Sequence, residues 1–426
     1  MVEIRPFRAI RYTEKAGNME DLITQPYDKI TPEMQDRYYE ESEYNYCRLI
    51  LPKEENRYEI AKKRLEEWIS SGILKKDEER ALYIYFQDFE VLGKKYTRKG
   101  FISAVKLHPF EEKVVLPHEK THKGPKIDRL NMLRATKKNL EAGFMLYPDK
   151  ERKTIEILEK ASKEEPIIDA VDEYGVRNRI WMLTDPDDIR AIQDVIGPEQ
   201  VVIADGHHRY ETAVTFRDEM RSQFPDYTGD EAFNFRMTLM VPIQDEGLVV
   251  LPTHRLLLKH ELKEEHIKEI ERYFETRELD RKEVEEFLEK KREKKAFVAY
   301  DGRRFIGMVL KDMDAIQDFF RHEYSEEYRN LDVVVLRDVI FEGIMGAVDL
   351  KIDESIAYER WIDDSIRRVD SGDAKVAFLM NPTGADQVLA VAKNGERMPE
   401  KSTDFYPKMV SGTTMMDLLD KLRPSI

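Results

Sequence analysis

Cysteine is almost missing from this chain of 426 residues, with Cys47 its one example. A lone thiol excludes an intramolecular disulfide and a cysteine-built metal cluster, and it suits a reducing compartment. Long apolar runs are missing too. No stretch approaches the roughly 20 residues that a membrane span needs, and the opening MVEIRPFRAI lacks the apolar core of a secretion signal. The expectation is a cytoplasmic protein with no membrane partner. Positive charge is in deficit: 70 Lys and Arg stand against 85 Asp and Glu, a formal net charge of -15. Nucleic-acid binders present a basic face, and no helix-turn-helix is recognisable, so no nucleic-acid partner is expected. Familiar motifs are scarce as well. The chain has no internal repeat, no low-complexity tract, no Gly-x-Gly-x-x-Gly, no Gly-x-x-x-x-Gly-Lys-Ser/Thr loop and no His-Glu-x-x-His helix.

What is present is a chain with 41% hydrophobic residues, long enough for two or three cores. Its 36% charged residues, rich in Lys and Glu, resemble the ion-pair-laden surface of a thermophile's protein. The most informative stretch is VVIADGHHRYETAVTFR, Val201 to Arg217. Val201, Val202 and Ile203 form a β-branched run, Asp205-Gly206 break it, and Tyr210, Ala213 and Val214 recur at helical spacing. This predicts strand, tight turn and helix. A helix entrance offers unpaired N–H groups and the positive end of the dipole, so it favours an anion, and a phosphate is the natural guest. Gly206 lets the backbone come close, Arg209 supplies a bidentate fork, and His207 and His208 can donate or shuttle protons. A basic surface helix start is the plainer alternative.

A second stretch, Leu116 to Asn139, places His118-Glu119-Lys120-Thr121-His122-Lys123-Gly124-Pro125 before a helix carrying Ile127, Leu130 and Leu133. Lys120, Lys123, Lys126 and Arg129 can face an anion while Glu119 faces a group that must lose a proton. A solvated charge run is the alternative. Elsewhere, Asp28 in Pro26-Tyr27-Asp28 reads either as a functional acid or as an N-cap or Asx-turn residue before Thr31-Pro32. Ala81 to Phe89 and Tyr96 to Leu107 predict a hairpin around Gly93. Helices are expected over Thr154 to Ser162, Asp187 to Ile196, Leu331 to Gly346 and Ala385 to Lys393, and helical patterns between Glu264 and Lys294. Ala296 to Tyr300 and Arg303 to Leu310 predict a hairpin with Asp301-Gly302 as a type I′ turn. In the tail, Lys401, Ser402, Thr403, Lys408, Ser411 and Gly412 are residues that can close over a phosphate.

ADGHHRYETA resembles the strand–Gly-His-His-Arg–helix signature of the ParB/sulfiredoxin superfamily, and Asp205 to Arg209 resemble its free-serine-kinase branch most. Sulfiredoxin-like chemistry needs a cysteine where this chain has His207. Over its whole length the chain also resembles a bacterial and archaeal domain-of-unknown-function family, through ITQPYDKI (Ile23 to Ile30), LPHEKTHKGPKIDRL (Leu116 to Leu130), LPTHRLL (Leu251 to Leu257) and GERMPEKSTDFYPK (Gly395 to Lys408). The free serine kinases also carry a His-Glu pair before a helix ahead of the Gly-His-His-Arg turn. The resemblance therefore implies Glu119 as general base, although Ala142 to Pro198 make the spacing longer here.

The expected fold is α/β (α+β): an N-terminal α/β region over 1–110, a ParB/sulfiredoxin-like nucleotide-binding core over 111–258, and a C-terminal α/β module over 259–426 whose tail is able to close over the site. The leading function is a small-molecule kinase using Mg²⁺ and ATP, ADP or pyrophosphate, with free L-serine the leading acceptor. The alternatives are a nucleotide-hydrolysing switch without a small acceptor and a metal-dependent hydrolase on His207, His208 and Asp205. Glu119, His208 and Asp205 are the catalytic candidates. Gly206, His207, His208, Arg209, Lys123, Lys126, Arg129, Lys401, Ser402 and Thr403 are expected to bind phosphate or nucleotide, and Asp28, His118, Arg129, His254 and Arg255 the substrate. No metal-ligand set and no oligomeric state can be read from the residues.

Overall fold

The computed structural model describes residues 1–119 and 123–423; the side chains of Lys123 and Pro125 lie outside that description. The chain divides into two compact units, one formed by Met1–Val249 with Pro407–Ile426 and the other by Val250–Tyr406.

The first unit is built on a mixed nine-stranded open sheet. Its centre is the predicted hairpin, Leu82–Val91 and Lys94–Lys106, turned through Leu92 and Gly93, both at positive φ (51° and 72°). Two positive φ values in a two-residue loop match the right-handed twist of the flanking strands. Phe235–Pro242 pairs antiparallel with Lys94–Lys106, so residues on either side of 110 share one sheet and no domain boundary falls there. The sheet continues through Gly143–Tyr147 and Val201–Asp205 to the short edge strand Val115–Leu116. One face is covered by helices Lys153–Ala161, Pro186–Ile196 and His207–Gln223, whose Leu158, Ile189, Ile192, Tyr210 and Ala213 join the sheet's core. Asp185 caps the middle helix by accepting from the amides of Asp187 and Asp188, with Pro186 in the first turn.

A second core in this unit packs Leu65, Trp68 and Tyr46 against a four-stranded sheet. Its order is Leu74–Lys76, Ala9–Tyr12, Met415–Asp417, Lys138–Asn139. The tail is therefore an interior strand between residues far from it in sequence. Thr31, not Asp28, caps the helix Pro32–Glu41, by accepting from the Met34 amide.

The second unit holds a six-stranded antiparallel sheet in the order Phe274–Leu279, Phe305–Leu310, Ala296–Tyr300, Val376–Met380, His254–Leu257, Ile356–Glu359. Three expectations change here. The helical pattern between 264 and 294 is interrupted by the edge strand Phe274–Leu279, which buries only its two ends while Glu275, Arg277 and Glu278 stay out of the core. Charges blunt an exposed strand edge, which is why the stretch looks helical by composition. The loop after Ala296–Tyr300 is not type I′, because Gly302 has positive φ (85°) and Asp301 does not; the Asp301 carboxylate instead accepts from the Arg303 and Arg304 amides. Within Leu331 to Gly346 the chain forms a π-helix over Val335–Ile344, widened by i→i+5 bonding.

Candidate functional site

Strand direction brings the two predicted motifs together. Val201–Asp205 pairs parallel with Val115–Leu116, Val201 opposite Val115 and Val202 opposite Leu116. Both chains thus leave the sheet at the same end, with His118-Glu119 level with the turn after Asp205. Gly143–Tyr147 runs antiparallel to Val201–Asp205 and parallel to Phe235–Pro242, so the starts of those two strands, at Glu141, Ala142 and Arg236, reach the same end.

Gly206 sits at φ 90°, where an L side chain is strained, and opens the helix His207–Gln223. A Cβ there would crowd the Arg209 guanidinium at 3.0–3.2 Å, so besides the strain of the positive φ the guanidinium would have to shift to make room for it. Arg209 is buried, donates from Nη1 to the Ala142 carbonyl at 2.8 Å, and places Nη2 3.6 Å from Asp205 Oδ2. Asp205 Oδ1 accepts from the Gly206 amide. Burial works to raise the Asp205 pKa, but Lys408, then Arg209, Lys29 and His207, outweigh it and hold the carboxyl well below the usual range. Burial opposes the Arg209 charge, and Glu141, Asp205 and Asp28 more than restore it.

His118 is fully buried, and its Nδ1 donates to the Ile203 carbonyl at 2.7 Å. His207 Nε2 accepts from the His118 amide at 3.3 Å, which leaves the proton of a neutral His207 on Nδ1. Glu119 lies between them, with Oε1 3.8 Å from His118 Nε2 and Oε2 3.9 Å from His207 Nδ1, while its side chain stays one-third exposed (33%). Both separations exceed a direct hydrogen bond.

The other predicted residues fall into distinct places. Asp28 is exposed in the turn Tyr27–Lys29, near enough to act on the Arg209 charge. Arg129 is buried, stacked 4.0 Å over the Tyr27 ring, and donates to Asp128 and to the Ile50 carbonyl; Lys126 pairs with Glu211. Arg129 is thus held by buried protein partners, whereas the Lys126–Glu211 pair is partly exposed. His208 is half-buried, and its carbonyl accepts from the Thr212 hydroxyl. Lys120, Thr121, His122 and the Lys123 side chain lie outside the described residues.

Lys401, Ser402, Thr403, His254 and Arg255 belong to the second unit. Burial there pushes His254 down to about 3, so it is neutral, and its Nδ1 accepts from the Met380 amide. Burial likewise pushes Arg255 down to about 10, and it donates to the Thr253 and Lys401 carbonyls. Ser402 is buried and donates to the Pro399 carbonyl. His254, Arg255 and Ser402 thus make buried contacts within the unit, while Lys401 is exposed and Thr403 half-buried.

The sequence reading missed Glu141 and named Lys408 and Ser411 only as tail residues able to close over a phosphate. Glu141 Oε1 accepts from the Tyr27 amide and from the Ser411 hydroxyl, each at 3.1 Å, so the segments around Tyr27 and Ser411 meet at one carboxylate. The tail is anchored there by the reciprocal backbone bonds of Thr24 and Ser411, and the Lys408 carbonyl accepts from Gln87. Composition had marked Lys408 and Ser411, but only pairing places them. Cys47 is buried with its thiol pushed up to about 12 by burial, unsuited to nucleophilic work.

Among the described residues, no group of three or more His, Cys, Asp or Glu is placed to hold a metal, and no helix is long and apolar enough to cross a membrane.

Residues 4–334 match a family described as a protein of unknown function, DUF1015. No curated protein matches the chain. Among solved structures, a free serine kinase in complex with AMP aligns at 14% identity and TM-score 0.31, covering 70% of this chain and 88% of that one. A conserved hypothetical protein from Pyrococcus furiosus aligns at 14% and 0.30, covering 69% and 90%. A C-terminally truncated SbnI from Staphylococcus aureus aligns at 10% and 0.32, covering 74% and 86%. Overlaps this loose leave ligand and chemistry to be read from the site itself.

Proposed function

The chain belongs to the DUF1015 family, whose description assigns no activity, and from the chemistry of its site we propose that it is a small-molecule phosphotransferase. The observation that carries this reading is Glu119 standing within 4 Å of His118 Nε2 and His207 Nδ1, beside the Asp205-Gly206-Arg209 turn. Phosphoryl transfer asks little covalent chemistry of a protein. It asks for positioned positive charge and a base that makes a hydroxyl attack in place of water.

In this reading the donor's terminal phosphate lies at the start of the helix His207–Gln223, held by backbone N–H groups and the edge of Arg209. The acceptor hydroxyl approaches Glu119 beside His207, whose Nδ1–H donates to its oxygen. Its proton passes to Glu119, its oxygen bonds to phosphorus, and the bond from phosphorus to the departing phosphate oxygen breaks. Mg²⁺ needs only one or two carboxylates beside phosphates and water, so an ion carried by the donor would be held by Glu119; no three-residue cage is present among the described residues. When bound it supplies neutralisation of the phosphate charge.

The motif's likeness to the free serine kinases makes L-serine the leading acceptor and ATP, ADP or pyrophosphate the donors to try. The test is to incubate the purified protein with Mg²⁺, L-serine and each donor in turn, at elevated temperature, and to follow O-phosphoserine by mass spectrometry. Product with one donor supports the proposal. Serine-independent phosphate release, with no O-phosphoserine from any donor, moves the reading to a nucleotide-hydrolysing switch.

A further inference from the structure

The strand Phe274–Leu279 closes one edge of the second unit's sheet and pairs only with Phe305–Leu310, Glu275 standing opposite Val309 and Arg277 opposite Gly307. The phase of that ladder is fixed where it begins. The Lys311 amide donates to the Tyr273 carbonyl at 2.9 Å, and on the other side of the same strand the Leu310 amide donates to the Lys295 carbonyl at 2.9 Å. Bonding sides alternate along an antiparallel strand. Tyr273, Glu275, Arg277 and Leu279 therefore bond into the sheet, while Phe274, Thr276 and Glu278 turn their N–H and C=O groups outward. The Phe274 amide is taken by the Ile270 carbonyl of the preceding helix. The Phe274 carbonyl and both backbone groups of Thr276 and Glu278 are left without a backbone partner among the described residues.

Charges guard this edge against indiscriminate pairing, for Glu275, Arg277 and Glu278 are all exposed. The order of their signs nevertheless leaves one pairing open, with a second copy of the same strand. Antiparallel pairing of two copies must set outward-facing residues opposite one another, so a two-fold axis near the middle of the strand falls on Glu275, Thr276 or Arg277. On Glu275 it sets two glutamates face to face, and on Arg277 two arginines. On Thr276 it sets Glu275 opposite the partner's Arg277 and Arg277 opposite the partner's Glu275. These are the positions without backbone bonds across the new pair, where facing residues come closest, at about 4.5 Å between Cα atoms. In the same register Thr276 exchanges both backbone bonds with the partner's Thr276, and the Glu278 amide meets the partner's Phe274 carbonyl.

We infer that Phe274–Leu279 is a self-complementary dimerisation surface, which pairs with the same strand of a second copy about a two-fold axis at Thr276 and joins two six-stranded sheets into one. The surface belongs to the second unit alone and does not depend on the phosphotransferase reading. A strand of six residues buries less than a standard interface, so the dimer is weak and reversible, with a dissociation constant of roughly 10–100 μM.

Sedimentation equilibrium of the full chain, at concentrations up to about 0.5 mM, tests the inference. The expected result is a monomer–dimer equilibrium that Glu275→Arg or Arg277→Glu, each of which sets like charges opposite, weakens by at least about tenfold. Both reversals in one chain restore opposite signs and are expected to restore dimerisation, a rescue that damage to the fold cannot imitate. Both positions are exposed, and the contact of Arg277 with Glu283 in its own chain, at 3.6 Å, is a surface pair of little weight in stability. Thr276→Pro removes the central outward amide and is expected to abolish the dimer while the unfolding midpoint stays near wild type. A chain that is monomeric throughout the range, a dimer indifferent to the single reversals, or single reversals that the double variant does not rescue would each overturn the inference.

Discussion

Glu119 Oε2 stands 3.9 Å from His207 Nδ1, and the His207 ring is fixed from its other side by the His118 amide. The residue before the base therefore orients the imidazole that faces the base. This arrangement makes the role of Glu119 separable from its shape. Glu119→Gln keeps volume and hydrogen-bonding reach but cannot take a proton. Turnover is expected to fall about a hundred- to ten-thousand-fold, with nucleotide affinity within a few-fold of wild type by calorimetry. Near-normal turnover in a folded variant would remove Glu119 from the mechanism.

The turn gives a second prediction. Arg209→Ala removes the fork, and loss of a charge-assisted hydrogen bond of about 1.5–3 kcal/mol corresponds to roughly 10- to 150-fold weaker nucleotide or pyrophosphate binding. Gly206→Ala is expected to weaken binding as well, through Arg209, since the added Cβ meets that guanidinium at 3.0–3.2 Å. It should also lower stability by about 1–2 kcal/mol, because residue 206 holds a positive φ. Denaturant titration beside calorimetry separates the two effects. Equal affinity for Arg209→Ala and wild type would refute the phosphate placement.

A third prediction concerns pH. Burial, opposed by the Val176 and Tyr174 amides, raises the Asp172 carboxyl from 3.8 to about 6. Since the folded value exceeds the unfolded one, the folded chain holds this proton more tightly. Its contribution to stability is fully present below 3.8 and is lost as pH rises through about 6. Asp172→Asn keeps the oxygen that accepts those amides and never ionises. Relative to wild type the variant is expected to gain as pH climbs from 4 to 7, by up to about 3 kcal/mol, read from urea midpoints. Asp245, also raised to about 6 by burial, acts in the same direction. A pH-independent difference between Asp172→Asn and wild type would contradict the assignment.

The sequence by itself determined the elements whose signals are local. A β-branched run, a glycine and a helical repeat specify strand, turn and helix over 201–217, and Gly93 between two aromatic-rich runs specifies the central hairpin. It also marked His118, Glu119 and the Gly-His-His-Arg turn as chemically able residues. What it could not determine is anything set by pairing across distance. The parallel register of Val115 with Val201, which puts Glu119 beside His207, and the insertion of Met415–Asp417 between Ala9–Tyr12 and Lys138–Asn139 depend on which strands find each other. A cation's task is equally non-local. Lys126, Arg129 and Arg209 look alike in sequence, yet one pairs with Glu211, one is locked between Tyr27 and Asp128, and one lies against the turn at Gly206, because partners brought by the tertiary fold decide where each charge is spent.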